Sequence, residues 1–215
     1  MTKTSIFDIK KELLIFLRNS DIISTTNRGV TTSTDTGTFA TAGTHTLATN
    51  PTLVKNVRSV TVAGSLLTNF NEYTVDYTTG VITFITDQTG TYSIVYDQAA
   101  TDHVWPDYPQ PYLKLKDFPR VGFDIVSGSS NEFGIGANTT QSEYLLSITC
   151  YDKDESDVEE MIATVRSKLL DNKKNFHFIP FLSVTTMGPL LITPFGQNKI
   201  MQRNQDLMIK FIFEQ

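Results

Sequence analysis

The 215-residue chain has one cysteine, one tryptophan and three histidines. A lone Cys150 excludes an internal disulfide framework and a cysteine-based structural zinc site. His45, His103 and His177 are far apart, and none stands in an HExxH or similar ligand spacing, so each reads as structural or surface. No apolar run approaches the ~20 residues that cross a bilayer, so no membrane partner is expected. The first residues lack the basic-then-apolar pattern of a secretory signal, which makes the cytoplasm the expected place of synthesis. Basic residues are outnumbered, 18 Lys and Arg against 23 Asp and Glu, for a net charge of -5. Nucleic-acid binding through bulk positive charge is therefore disfavoured.

What is present suffices for a folded protein: 40% hydrophobic and 19% charged residues, in a length that allows one large domain or two small ones. The most informative stretch is Glu143 to Leu170. Its first half alternates, with Tyr144, Leu146, Ile148 and Cys150 on one face, which predicts a strand buried mainly on that side. Its second half places Val158, Ile162, Val165 and Leu169 at helical spacing, with Ser156 and Glu159 as a capping box and Lys173 and Lys174 at the negative end. A strand, an acidic turn and a helix folding back on the strand predict the nucleus of an α+β domain.

Around this nucleus, Ser5 to Arg18 reads as a first helix, capped by Ser5, with Ile6, Ile9, Leu13, Phe16 and Leu17 as its apolar stripe. Ser24 to Asn50 is rich in Thr, Ser, Gly and Ala, which favours extended backbone with polar faces. Strands are expected at Val57 to Val62, Glu72 to Asp76, Val81 to Ile85 and Thr91 to Tyr96, with turns at Thr79-Gly80 and Thr89-Gly90. The expected organisation is residues 1–30 as an N-terminal helix of the core domain, 31–98 as an inserted antiparallel β-module, and 99–215 as the α+β core. The fold class is α+β, a mainly antiparallel sheet flanked by two helices, with a small all-β insert. Four prolines make Val104 to Pro119 an extended connector, and Arg120 to Val126 is a strand. Ser127 to Ser142 reads as a long polar loop that builds no core. Phe176 to Ile179, Ser183 to Thr186, Leu190 to Thr193 and Asp206 to Glu214 read as further strands.

Reactive constellations are scarce. Cys150 at mid-strand reads as a small buried apolar side chain. Asp152, Asp154 and Ser156 imitate the start of a calcium loop, but Asp157 stands where its glycine belongs and Ala163 where its glutamate belongs. Gly134 and Gly136 are followed by neither Lys-Ser nor Lys-Thr, so they make no phosphate loop. No catalytic, cofactor-binding or metal residue is assigned, no cofactor is expected, and an enzyme is not the expectation. Phe133 and Ile135, apolar in an otherwise polar stretch, are candidates for a subunit interface or for covering their own domain.

The element order, with the segment SITCYDKDESDVEEMIATVRSKLL, resembles that of the tail-terminator and tail-completion proteins of long-tailed bacteriophages and related archaeal viruses. VRSVTVAGSLLTNFNEYTVDYTTGVITFITDQTGTYSIVYDQ is similar to a β-module that recurs in phage structural proteins, and HVWPDYPQPYLKLKDFPRVGFDI to the segment preceding the core strand in such proteins. Compact terminators lack the insert. The resemblance implies a virion structural protein at the head–tail junction. It would form a homo-oligomeric ring, usually a hexamer, on the last ring of the tail tube, meeting the tail-tube protein below and a head connector or head-completion protein above. Genomic DNA would pass through the ring without sequence-specific binding, which an acidic total suits. Two other readings stay open: another head–tail ring component, such as a head-completion or tail-tube subunit, and a binding or adhesion protein built on the β-module, with Trp105 and tyrosines as stacking platforms.

Overall fold

The computed structural model describes residues 5–48, 53–100, 102–106, 118–132, 139–195 and 198–214, and of residues 131–132, 139–140, 195 and 211–214 the backbone alone. The fold is α+β and mainly antiparallel. The chain divides into two compact units, one of Met1–Ile23 with His103–Gln215 and one of Ser24–Asp102.

The first unit begins with α1, Ile6–Asn19. Ser5 caps it: its hydroxyl accepts the Asp8 N–H, and the Asp8 carboxylate accepts the Ser5 N–H at 2.9 Å. These two bonds satisfy donors that the helix itself leaves open. The strands of this unit are β6 (Val104–Trp105), β7 (Arg120–Glu132), β8 (Thr139–Asp152), β9 (Phe181–Met187), β10 (Leu191–Phe195) and β11 (Asn198–Glu214). They form one sheet in the order β10-β11-β8-β7-β6, with β9 also on β11. All pairings are antiparallel except the two-residue contact of β6 with β7.

Strand β8 is the spine, paired along its length with β7 on one edge and β11 on the other. Its even-numbered side chains Leu146, Ile148 and Cys150 have no exposure. Opposite them lies α3, Glu155–Asn172, through Val158, Ile162, Val165 and Leu169. The same core takes Ile9, Leu13 and Leu17 of α1, Val121 and Phe123 of β7, and Leu207 and Ile209 of β11. Each such side chain contributes roughly 1.5–3 kcal/mol by leaving water. The α3 cap is Asp154 rather than Ser156: its carboxylate accepts the Ser156 N–H at 2.9 Å, so the helix starts one residue before the expected cap.

Two further expectations change. Ser127 to Ser142 is no loop where it is described. Strand β7 continues to Glu132 and β8 begins at Thr139, in register from Ser127↔Leu145 to Glu132↔Thr140. Polar side chains did not prevent a strand here, because the ladder of backbone hydrogen bonds is supplied by the partner strand. Phe176 to Ile179 is not a strand, since the amides of His177 and Phe178 are turned to the Glu12 carboxylate instead of a neighbouring strand.

The second unit holds a short α2 (Thr25–Arg28) and strands β1 (Thr31–Thr46), β2 (Val54–Val62), β3 (Ser65–Leu67), β4 (Tyr73–Asp76) and β5 (Val81–Gln98), in the order β1-β5-β2-β3 with β4 on β5. Its core is Val57, Val60, Tyr73, Val75, Ile82, Phe84, Ile94 and Tyr96 with their neighbours. The Thr-rich stretch is one 16-residue strand with Phe39 as its only buried side chain among those described. Thr79-Gly80 turns the chain between β4 and β5, with Gly80 at φ 64°. Thr89-Gly90 does not. Gly90, at φ 100°, sits inside β5 where the register against β1 slips between Phe39 and Ala42, so its left-handed backbone makes a bulge and the strand runs on.

A buried charge cluster fastens the two ends of this unit. The Arg28 guanidinium, 1% exposed, grips Asp102 with two nitrogens at 2.6 and 3.1 Å and donates to Asp97 at 3.1 Å. Asp97, fully buried, also accepts from Arg58 at 2.8 Å and Thr32 at 2.9 Å. Removing one partner of such a set leaves charge buried without compensation. Arg28→Ala is therefore expected to cost about 3–5 kcal/mol in urea unfolding followed by the tyrosine signal; a loss under about 1 kcal/mol would show the cluster to be dispensable.

Candidate functional site

The residues with inherent reactivity are dispersed and occupied. Cys150 is fully buried, and burial pushes its thiol well above the ordinary range, away from the nucleophilic thiolate. His45 is held at 2.9 Å from Asp35 and meets Phe39 edge-on, while Phe39 stacks on Tyr92 with centroids 4.1 Å apart. His103 Nδ1 lies 3.0 Å from the Pro119 carbonyl. Asp152 takes the Lys153 N–H and Asp154 caps α3, so the calcium-like spelling resolves into turn and cap contacts. No group of three His, Cys, Asp or Glu side chains comes together among the described residues. Tyr73 and Tyr96 are core residues of the second unit, and Trp105, 37% exposed, carries the Arg120 guanidinium 5.2 Å above its ring. Phe133 and Ile135 lie outside the described residues.

The distinctive surface belongs to the sheet of the first unit. The apolar core ends at Ile125 on β7, Tyr144 on β8 and Ile209 on β11 among the described side chains, but the three strands continue together, β11 pairing with β8 from Lys210↔Glu143 to Glu214↔Thr139. At ~3.3 Å per residue, this extension of β8, residues 139 to 143, is about 16 Å long. Side chains 126–130 are exposed on β7, including Val126 at 55%. One face of the extension is tightened by Tyr144, whose ring covers Gly128 so closely that a Cβ there would meet it at 2.4 Å. Glycine is required at that point by space, since any side chain would displace the ring. Beyond Gly122 no strand among the described residues pairs with the outer edge of β7. An open edge is a template for another chain.

No family model matches the chain, and no curated protein matches it either.

The sheet face away from α3 is polar in its middle, with a small buried apolar cluster of Phe118, Tyr151 and Ile200 toward one end. Ser147 donates to Asp206 at 2.8 Å, Asn204 bridges the same two residues, and Lys210 meets Glu143 at 2.6 Å. A small cleft of about 180 Å³ lies over Ser147, Thr149, Tyr151 and Asn204. On the helix side, Arg203 pairs with Glu159 and donates to the Gly188 carbonyl, and the fully buried Gln205 donates to the Thr186 carbonyl at 3.0 Å. These contacts pin α3 and β9 to β11 at fixed positions, giving a rigid base to the extension.

The reading of the sequence missed Glu12. It sits with Ile9, Leu13 and Phe16 on the inner face of α1, a charge inside an apolar stripe, which is itself a signal. Its carboxylate accepts the N–H groups of His177 and Phe178, joining α1 to the segment after α3. Burial raises its pKa above the ordinary 4.5, outweighing the opposing pull of those N–H donors. A carboxyl raised in the native state favours folding fully below its unfolded value, and that contribution is lost as pH rises through the folded value. The stability of the native protein relative to Glu12→Gln is thus expected to fall as pH rises above about 4.5, measured as urea midpoints. A pH-independent difference would contradict this.

Proposed function

We propose that the chain is a virion structural protein of the tail-terminator kind, a ring-forming subunit at the head-proximal end of a tail tube that joins tail to head. The observation that carries the reading is the three-stranded extension: ordered strands that run on past the core residues Ile125, Tyr144 and Ile209, with an outer edge of β7 that no strand among the described residues pairs with beyond Gly122. A sheet that outruns its core is stabilised when a neighbour supplies what is missing, by strand addition or by packing against its faces. A head-to-tail contact of this sort closes into a ring when the rotation between copies is a whole fraction of a turn.

In this reading Ser24–Asp102 is the β-module inserted between the first helix and the core. Its separate apolar cluster and its own buried charge cluster support that view. The ring, a hexamer by resemblance, would meet the tail-tube protein on one side and the head connector or a head-completion protein on the other. Its acidic total suits a channel through which DNA slides without adhering.

Mixed with purified tail tubes and viewed by negative-stain microscopy, the protein is expected to cap one tube end as a single closed ring. Open-ended polymers of the protein alone would make it a tube subunit instead, and a monomer that ignores tubes would contradict the ring altogether.

A further inference from the structure

The outer side of the helix layer carries a second surface, at the C-terminal end of α3. Leu170 is 45% exposed there, and Phe181, at the start of β9, is 52% exposed. Together with Pro180, Lys173 and Lys174 they line an open cleft of about 450 Å³. Two large apolar side chains left in water beside two exposed lysines make a patch with an apolar floor and a cationic rim. The last carbonyls of α3 and the exposed Asp171 add negative charge, which the exposed Lys168, Lys173 and Lys174 together outweigh.

The other end of the same helix is its electrostatic complement. Glu155, Asp157 and Glu160 are exposed on its first turns. At 1.5 Å per residue, the 18 residues of α3 hold the two ends about 27 Å apart on one rigid element. An antiparallel two-fold contact would use both complementary pairs at once and close as a dimer. In a ring the same complementarity acts head-to-tail, each copy presenting its acidic end to the lysine end of the next.

We propose that the cleft of Leu170, Phe181, Lys173 and Lys174 is the docking site for a second copy of this chain, which enters it with the acidic N-terminal end of its own α3. The inference rests on the ring reading and specifies one of its contacts. Phe181 and Leu170 supply the apolar floor of the contact, and the charges fix which end of one copy meets which end of the next.

The test is a charge exchange on the full chain, with particle mass measured by light scattering across a dilution series. Lys173→Glu with Lys174→Glu is expected to raise the concentration needed for the ring by more than about tenfold. Glu155→Lys with Asp157→Lys is expected to do the same. All four substitutions in one chain restore complementarity and should bring the ring back, which separates a lost contact from a lost fold. Rings that tolerate the lysine reversals, or a fourfold variant no better than either pair, would overturn this docking site while leaving the ring reading intact. A wild-type protein that is monomeric alone and on tail tubes would overturn both.

Discussion

The structure of the first unit depends on the double pairing of β8. A strand with neighbours on both edges satisfies all its backbone groups within the sheet, so its inner face can be made wholly apolar. Leu146, Ile148 and Cys150 are fully buried as a result. Only two residues, Lys153 and Asp154, separate β8 from α3, and so short a connection obliges the helix to return over the strand it follows. The apolar stripe of α3 then seals that face, α1 closes the remainder of it, and polar contacts from Arg203 and Gln205 fix the register. The opposite face is polar except for the small cluster of Phe118, Tyr151 and Ile200.

The same geometry limits how far the core reaches. α3 covers only the later part of β8, and the earlier part runs on beside β7 and β11 with exposed side chains on β7. A sheet in this condition is ordered by hydrogen bonds but weakly protected from local opening, which is the usual property of surfaces that become ordered or completed on assembly. The proposed functions of the extension and of the lysine-rimmed cleft are two consequences of one layout: a rigid centre with unfinished margins. The second unit has an apolar cluster of its own, and its ends are clasped by Arg28, Asp97 and Asp102.

Much of this layout was legible in the residues. The alternation from Tyr144 to Tyr151 and the helical spacing from Val158 to Leu169 belong to elements whose local pattern and burial agree. Local signals failed where long-range contacts decide. Ser127 to Ser142 looked like a loop because composition says nothing about a partner strand waiting to pair with it. Phe176 to Ile179 reads as a strand by its residues but is none, because its donors are claimed by Glu12, more than 160 residues away in sequence. Gly90 looked like a turn because a bulge and a turn both ask for the same backbone angle, and only β1 opposite tells them apart. The Arg28 cluster could not be foreseen, since its partners lie 69 and 74 residues away. Of the surface, the two lysines closing α3 were visible, but Phe181 beside them was not, because its exposure is a property of the packed fold.

The central claim, that the sheet extension is completed by a neighbouring copy, is tested most directly by amide hydrogen exchange on dilute subunits and on assembled rings or capped tubes. The account predicts fast exchange at residues 126–132 and 139–142 in the dilute subunit and marked slowing on assembly, with Leu146 to Cys150 slow in both. Equal protection of the extension in the two states would contradict it.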